Sequence, residues 1–302
     1  MTSISVRPNA NSERSDSRSA PEAPVRHGFD RRRMLTVART DLHQLLVAKD
    51  FWVPMVLLGS FFFLIIPAFL LITITSIGEV QAVGQLANAV EALPPEAQSQ
   101  IQGDDPATRT AYALAVFLLA PIAVIVPLTI STAVGATTIV GERERGTGEF
   151  LAHSPAGVRE IYAGKLLASL VPGYVTTIVG FGVYSILVNM TVGRGLGGWF
   201  FPTAQWWMMI LWVLPPFLVG ALALVLRLSA RVKSTAAAQQ ASGLVTLPLI
   251  MIAYGQSTGV LFGSSKAGLA IGAIAWLLSG LSLWRGIRSL TRSNLLGVAD
   301  GV

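Results

Sequence analysis

The charged residues that could act together are concentrated in one segment, 141–165, which separates two long apolar runs. The segment opens with Glu-Arg-Glu-Arg at 142–145 and continues through glycines to the apolar pair Phe150 and Leu151. Alternating charges beside a small apolar pair are typical of a surface that docks on a partner protein. The alternative interpretation is an ordinary polar turn that keeps its two flanking helices oriented.

The second half of this segment carries signals for the start of a helix. We expect Ser154 to cap that helix and Pro155 to occupy its first position, where a missing N–H has no cost. Glu160 would then lie near the positive end of the helix dipole. The sequence therefore predicts a short helix and a turn, held rigidly against the helices on either side.

Residues for catalysis or metal binding are not arranged in any recognisable set. The chain has no cysteine, and His27, His43 and His153 are scattered without ligand spacing. No Gly-x-x-x-x-Gly-Lys-Ser/Thr motif occurs, so no P-loop is available to hold nucleotide phosphates. We predict that the chain binds no cofactor or metal and is not catalytic on its own.

The composition indicates a protein embedded in a membrane. The chain is 52% hydrophobic and 13% charged, with a mean hydropathy of +0.61. Its apolar residues form uncharged runs of about 18 to 30 residues, long enough to cross a bilayer. The predicted fold is an all-α integral membrane protein with six transmembrane helices in a domain at 51–284; the spans are 51–77, 111–140, 166–192, 206–226, 236–254 and 267–284. The stretch between the last two spans is rich in glycine, and a re-entrant segment there is an alternative interpretation.

The positions of lysine and arginine predict the orientation in the membrane. Of the 22 basic residues, 19 lie in four regions: 1–50, 141–165, 227–233 and 285–302. Because cytosolic loops are enriched in lysine and arginine, these regions are predicted to be cytosolic, together with both termini. The net charge of +6 is therefore interpreted as a topology signal, and no nucleic-acid partner is predicted.

The regions outside the spans divide into tails, one helix and one acidic loop. We expect residues 1–28 to form a disordered cytosolic tail and residues 285–302 to form a second cytosolic tail. Residues 29–50 are expected to form an amphipathic helix in the bilayer interface. The residues on which the interfacial helix depends are Arg31, Arg32, Arg33, Leu35, Leu42 and Leu46. A soluble helix packed on a partner is the alternative. The external loop 78–110 is acidic and predicts a solvated cap with helical turns near Val83 to Val90 and at Pro95.

The 141–165 segment resembles the signature of permeases of the type 2 ABC exporter family. In that family Glu-x-Glu-x-Gly-Thr-x-Glu follows the second span, and Ser-Pro, Arg/Lys-Glu-Ile and Gly-Lys lead into the third. The matching positions are Glu142, Glu144, Gly146, Thr147, Glu149, Pro155, Glu160, Ile161, Gly164 and Lys165. The resemblance covers most of the chain, although Gly148 replaces a usual leucine and His153 interrupts an apolar run.

The resemblance implies a permease subunit in the plasma membrane of a prokaryote, exporting an amphipathic, lipid-like, drug-like or peptide cargo. Two such permeases, identical or different, would sit on two copies of a separate ATPase that binds ATP and magnesium. The 141–165 loop would dock on this ATPase. We hypothesise that Glu142, Glu144 and Glu149 pair with donors there, while Phe150 and Leu151 fill its groove.

Polar residues inside the spans are candidates for a cargo pathway. Thr129 and Thr132 lie in the second span, and Gln239 and Gln240 lie in the fifth. Helix packing is the simpler interpretation, since such residues are common at helix contacts in membranes. The uncharged spans weigh against a secondary transporter, which usually has an ionisable residue at mid-membrane. A membrane scaffold that transports nothing stays a second alternative.

Overall fold

The computed structural model describes residues 29–77, 88, 90–255 and 265–289, and these ranges contain helices and turns but no strand. Five helical stretches are long and apolar enough to cross a membrane: Lys49–Thr75, Pro106–Glu144, Val158–Gly195, Ala204–Ser229 and Gly268–Arg288. They coincide with predicted spans one to four and six. The all-α class is confirmed. A further helix, Thr235–Gly255, covers the predicted fifth span, whose role as a span stays a prediction.

The helices of the described ranges are numbered in chain order. In chain order they are α1 Arg31–Val47, α2 Lys49–Ser60, α3 Ile66–Ile72, α4 Pro95–Gln98, α5 Pro106–Ala113, α6 Ile122–Thr137, α7 Val140–Glu144, α8 Gly148–Ala152, α9 Val158–Gly195, α10 Ala204–Met208, α11 Leu214–Ser229, α12 Thr235–Gly255 and α13 Ser265–Ser289. Four π-helical turns widen the first, second and fourth long stretches, at Phe61–Ile65, Thr73–Ile77, Leu114–Leu118 and Met209–Val213.

Aromatic side chains satisfy two carbonyl groups at one of these π turns, Leu114–Leu118. Tyr184 donates its hydroxyl to Ala115 O at 2.7 Å, and Trp206 donates its indole N–H to Val116 O at 2.9 Å. The ring of Trp206 also stacks on that of Phe181, with centroids 5.8 Å apart. Apolar surroundings offer these carbonyls no water, so the polar tips of buried aromatic residues take its place.

The packing places α9 at the centre of the bundle. This helix contacts α1, α6 and α11, while α11 also packs on α13. At Gly164 the backbone of α1 comes so close that an added Cβ would lie 2.8 Å from Met34 O. Glycine is therefore required where α1 crosses α9.

The turn between α9 and α10 is held by one buried amide. Asn189 donates from Nδ2 to Phe201 O at 2.6 Å, and its Oδ1 accepts from Phe200 N at 3.0 Å and Phe201 N at 3.1 Å. Three backbone groups are thus satisfied by a single side chain, which fixes the predicted external end of the third and fourth spans.

In the predicted external loop, α4 begins at Pro95 as expected from the proline pair. The turns expected near Val83 lie mostly outside the described residues. Asp105 caps α5 by accepting from Thr108 N at 2.9 Å. Hydrogen bonds from Thr108 lower the pKa of this carboxyl below its ordinary value.

Candidate functional site: the 141–165 loop

Two short helices, α7 and α8, form the first half of the loop. A turn at Thr138 separates α7 from α6, and Gly146 separates α7 from α8 with φ of +73°. This left-handed conformation favours glycine and ends the chain's helical course after Glu144, the last residue of α7. Thr147 closes the turn by donating its N–H to Glu142 O at 2.9 Å and its hydroxyl to the Glu142 carboxylate.

The start of α9 corrects the expectation for Ser154 and Pro155. The helix begins at Val158, and Glu160 reaches back to accept from Gly157 N at 2.7 Å. Ser154 Oγ is buried without a hydrogen-bond partner in the described part of the chain. A carboxylate three residues into the helix therefore supplies the cap, so the serine is not needed for it.

Glu160 and Pro155 instead connect α9 to the N-terminal end of α1. Glu160 is 3% exposed, and its Oε1 accepts from Asp30 N at 2.6 Å. Arg33 donates from Nη1 to Pro155 O at 2.7 Å. Two matched positions of the loop thus hold the first turn of α1 in place.

On one side of the loop, Lys165 joins three elements through an ion cluster. Its Nζ lies 3.1 Å from Asp41 Oδ2 on α1 and 3.3 Å from Glu142 Oε1 on α7. Lys165 is 1% exposed, and these two carboxylates pair with it at its buried position. Burial raises the pKa of Asp41, and the ammonium group of Lys165 opposes that rise.

Glu142 is fully engaged within the chain. Besides Lys165 and Thr147, its carboxylate lies 3.5 Å from Nη2 of Arg145, one helical turn further on. Pairing of Glu142 with a donor on the ATPase stays a prediction, but such a donor would have to compete with three internal partners.

On the other side of the loop, Arg143 and Glu144 contact the turn between α11 and α12. Arg143 donates from Nη2 to Ser229 O at 3.1 Å and to Val232 O at 2.5 Å. Glu144 Oε1 accepts from Thr235 N at 2.8 Å and thereby caps the first turn of α12. Neighbouring residues of the charged run thus bind different parts of the bundle.

Glu149 and Phe150 point away from the bundle. Both lie on α8, and Phe150 is 80% exposed. His153 is exposed too, and its ring Nδ1 lies 2.9 Å from Glu149 O. The side chain of Leu151 lies outside the description. α8 therefore presents an apolar ring and a carboxylate at the surface.

The predicted interfacial helix α1 buries one face on α9 and exposes another. Ala38 is buried, and Leu42 is half-buried. Leu35 and Leu46 are exposed, as are Arg31 and Arg32. An exposed face with both leucine and arginine suits the boundary between lipid and water.

Three of the four pathway candidates lie together. Thr129 and Thr132 of α6 and Gln239 of α12 line one groove of about 460 Å³. Thr246 of α12 lines it too and donates to the hydroxyl of Thr132 at 3.3 Å. Gln240 is exposed but does not line this groove. In the described ranges, no three histidine or acidic side chains are placed to hold a metal ion.

Residues 35–279 match a family model described as an ABC-2 family transporter protein. The chain belongs to this family. An ABC-2 protein is the membrane-embedded, non-catalytic component of an ABC transporter and works with an ABC ATPase subunit, so this chain is a multi-pass permease subunit. No curated protein matches the chain.

Three residues of this ABC-2 permease that form contacts at the loop were not predicted from the sequence: Asp41, Arg143 and Arg145. Asp41 is the only acidic residue between positions 30 and 50, on a helix rich in arginine. A lone acid in a basic helix is a signal for an internal cation partner. The two arginines were visible in the alternating run, but their partners could be identified only from the fold.

Proposed function

We propose that this chain is the permease half of an ABC exporter and that it docks on its ATPase through Glu149 and Phe150. The observation that carries this proposal is the contrast within the loop. Glu142, Arg143 and Glu144 are tied to the bundle, whereas Phe150 is 80% exposed. An exposed aromatic ring next to a carboxylate suits an apolar groove edged by basic groups.

The internal contacts support transmission of movement from the docked ATPase to the spans. Closure of the ATPase dimer would displace α8, and α7 connects α8 both to the Lys165 cluster and to the first turn of α12. Rearrangement of packed helices driven by nucleotide is a recognised form of switching. In this proposal both termini and the 141–165 loop are cytosolic, and the membrane is the plasma membrane of a prokaryote.

The groove between α6 and α12 supports the proposed pathway. Hydroxyl and amide groups face it beside apolar residues such as Leu247 and Ile250. Such a mixed lining suits an amphipathic, lipid-like, drug-like or peptide cargo moving out of the cytosol. A second permease subunit, the same chain or a similar one, would cover this open side and complete a transporter with two ATPase copies.

The docking proposal is tested by co-purification with the partner ABC ATPase subunit. Phe150→Ala is expected to weaken ATPase binding by roughly 30-fold, because removing a central aromatic contact costs about 2 kcal/mol. Glu149→Lys should weaken it further if the groove is basic. The matched control is Trp199→Ala, which removes an aromatic ring that is 75% exposed in the turn that follows the opposite end of α9.

Wild-type ATPase retention by the Phe150→Ala, Glu149→Lys double variant would refute the docking role. The direction of transport needs a second measurement, on inverted membrane vesicles that contain both subunits. Accumulation of a fluorescent amphipathic dye only with ATP supports export. Dye movement driven by an ion gradient without nucleotide would replace the proposal with a secondary transporter.

A further inference from the structure

Lys165 is buried at the point where three elements of the chain meet. Asp41 reaches it from α1, Glu142 from α7, and Lys165 itself lies in the second turn of α9. We propose that Lys165 is a positioning residue that holds α1, α7 and the third span together as one rigid unit. Only the movement that this rigid unit would transmit from the ATPase rests on the proposed function.

The contacts of α1 with α9 do not depend on the lysine. Gly164 allows close backbone contact with Met34, and Glu160 binds Asp30 N on the same interface. The position of α7 depends on Lys165 far more. Glu142 of α7 is connected to α1 and α9 through this one ammonium group. A turn at Thr138 separates α7 from α6, so α6 does not fix its direction. Arg143 and Glu144 would still hold the other side of α7 to the turn between α11 and α12, so loss of the lysine should release α7 from α1 and α9 while α1 stays packed on α9.

The charge balance explains why a cation is needed. Without Lys165, the carboxylates of Asp41 and Glu142 would face each other across a partly buried space, and like charges there repel. A cavity of about 150 Å³ adjoins the cluster and is lined by Gln44 and Arg145 as well as by the three charged groups. This space can take the larger guanidinium group, so arginine should replace the lysine, whereas methionine should not.

The experiment uses the absence of cysteine from the chain. Cysteines introduced at the exposed positions His43 on α1 and His153 after α8 accept spin labels, and the distance between the labels is measured in lipid nanodiscs without the ATPase. The labelled protein with Lys165 unchanged is expected to give one narrow distance distribution. Lys165→Met should broaden it and add longer distances, and Lys165→Arg should restore the narrow peak. Lys233→Met, at an exposed lysine, is the matched control.

Glu142→Gln provides a second route if the methionine variant does not fold, because it leaves the pair of Lys165 and Asp41 intact. It should broaden the same distribution. A narrow wild-type distribution in Lys165→Met, or in Glu142→Gln when the first variant cannot be purified, overturns the inference. Failure of the proposed function would be recognised separately: the ATPase would not bind, while the label distances measured without it would still respond to residue 165.

Discussion

Replacement of Arg143 by methionine tests whether the charged run binds the turn between α11 and α12. The substitution keeps the length and apolar stem of the side chain and removes its donors. Ser229 O and Val232 O, at 3.1 and 2.5 Å from Nη2, lose their partner. Ser229 is the last residue of α11 and Val232 lies in the turn before α12. The last carbonyls of a helix have no donor within that helix, so Arg143 is their replacement.

The expected cost follows from these two hydrogen bonds. A hydrogen bond to a charged group contributes about 1.5–3 kcal/mol when it is buried. Arg143 is only half-buried, so water replaces part of the loss, and we expect about 2–3 kcal/mol in total. Local opening of the turn should then increase by about 30- to 150-fold.

Hydrogen–deuterium exchange followed by mass spectrometry measures this opening directly. The relevant amides are those of residues 230–238, which include Ala230 and Arg231 at the end of α11. Arg145→Met is the matched control, because its partner is Glu142 on the other side of the loop. Unchanged exchange in Arg143→Met, or an equal increase in both variants, would refute the proposed separation of the two sides.

Substitutions at three further positions test the packing and the caps. Gly164→Ala should push Met34 away and lower the stability of the α1 contact by about 1–3 kcal/mol, seen as faster proteolysis of α1. Asn189→Ala leaves buried backbone groups of Phe201 unpaired and should lower the unfolding midpoint followed by tryptophan fluorescence; Asn189→Asp should restore only the accepting contacts. Glu144→Ala should speed exchange only in the first turn of α12, whereas Glu144→Gln, which still accepts, should not.

The spans could be predicted from the sequence because their signal is local. An uncharged apolar run of sufficient length enters the bilayer because exposing it to water is unfavourable. This preference does not depend on the helices that it packs against. The four π turns carry no comparable signal. At Leu114–Leu118 the widened turn depends on donors from Tyr184 and Trp206, which are distant in sequence. Only the fold brings these residues together.

The charged run shows where local reasoning about the site ends. Its composition indicated docking, and Glu142 and Glu144 were expected to face the ATPase together with Glu149. In the structure the first two bind inside the chain, because α7 lies between α1 on one side and the start of α12 on the other. Side-chain direction on such a short helix follows from its neighbours, so alternation of charge could not distinguish inner from outer partners.

In the proposed mechanism, docking and transmission need separate residues. A residue that grips the ATPase must be exposed, as Phe150 is, whereas a residue that moves a span must be fixed to it, as Glu144 is to Thr235. The first turn of α12 that Glu144 caps lies just before Gln239, which faces the groove. A displacement of α8 through α7 would therefore tilt the wall of the groove, and a flexible loop with the same surface charges could not do so. We accordingly expect loosening of α7 to impair transport while ATPase binding persists.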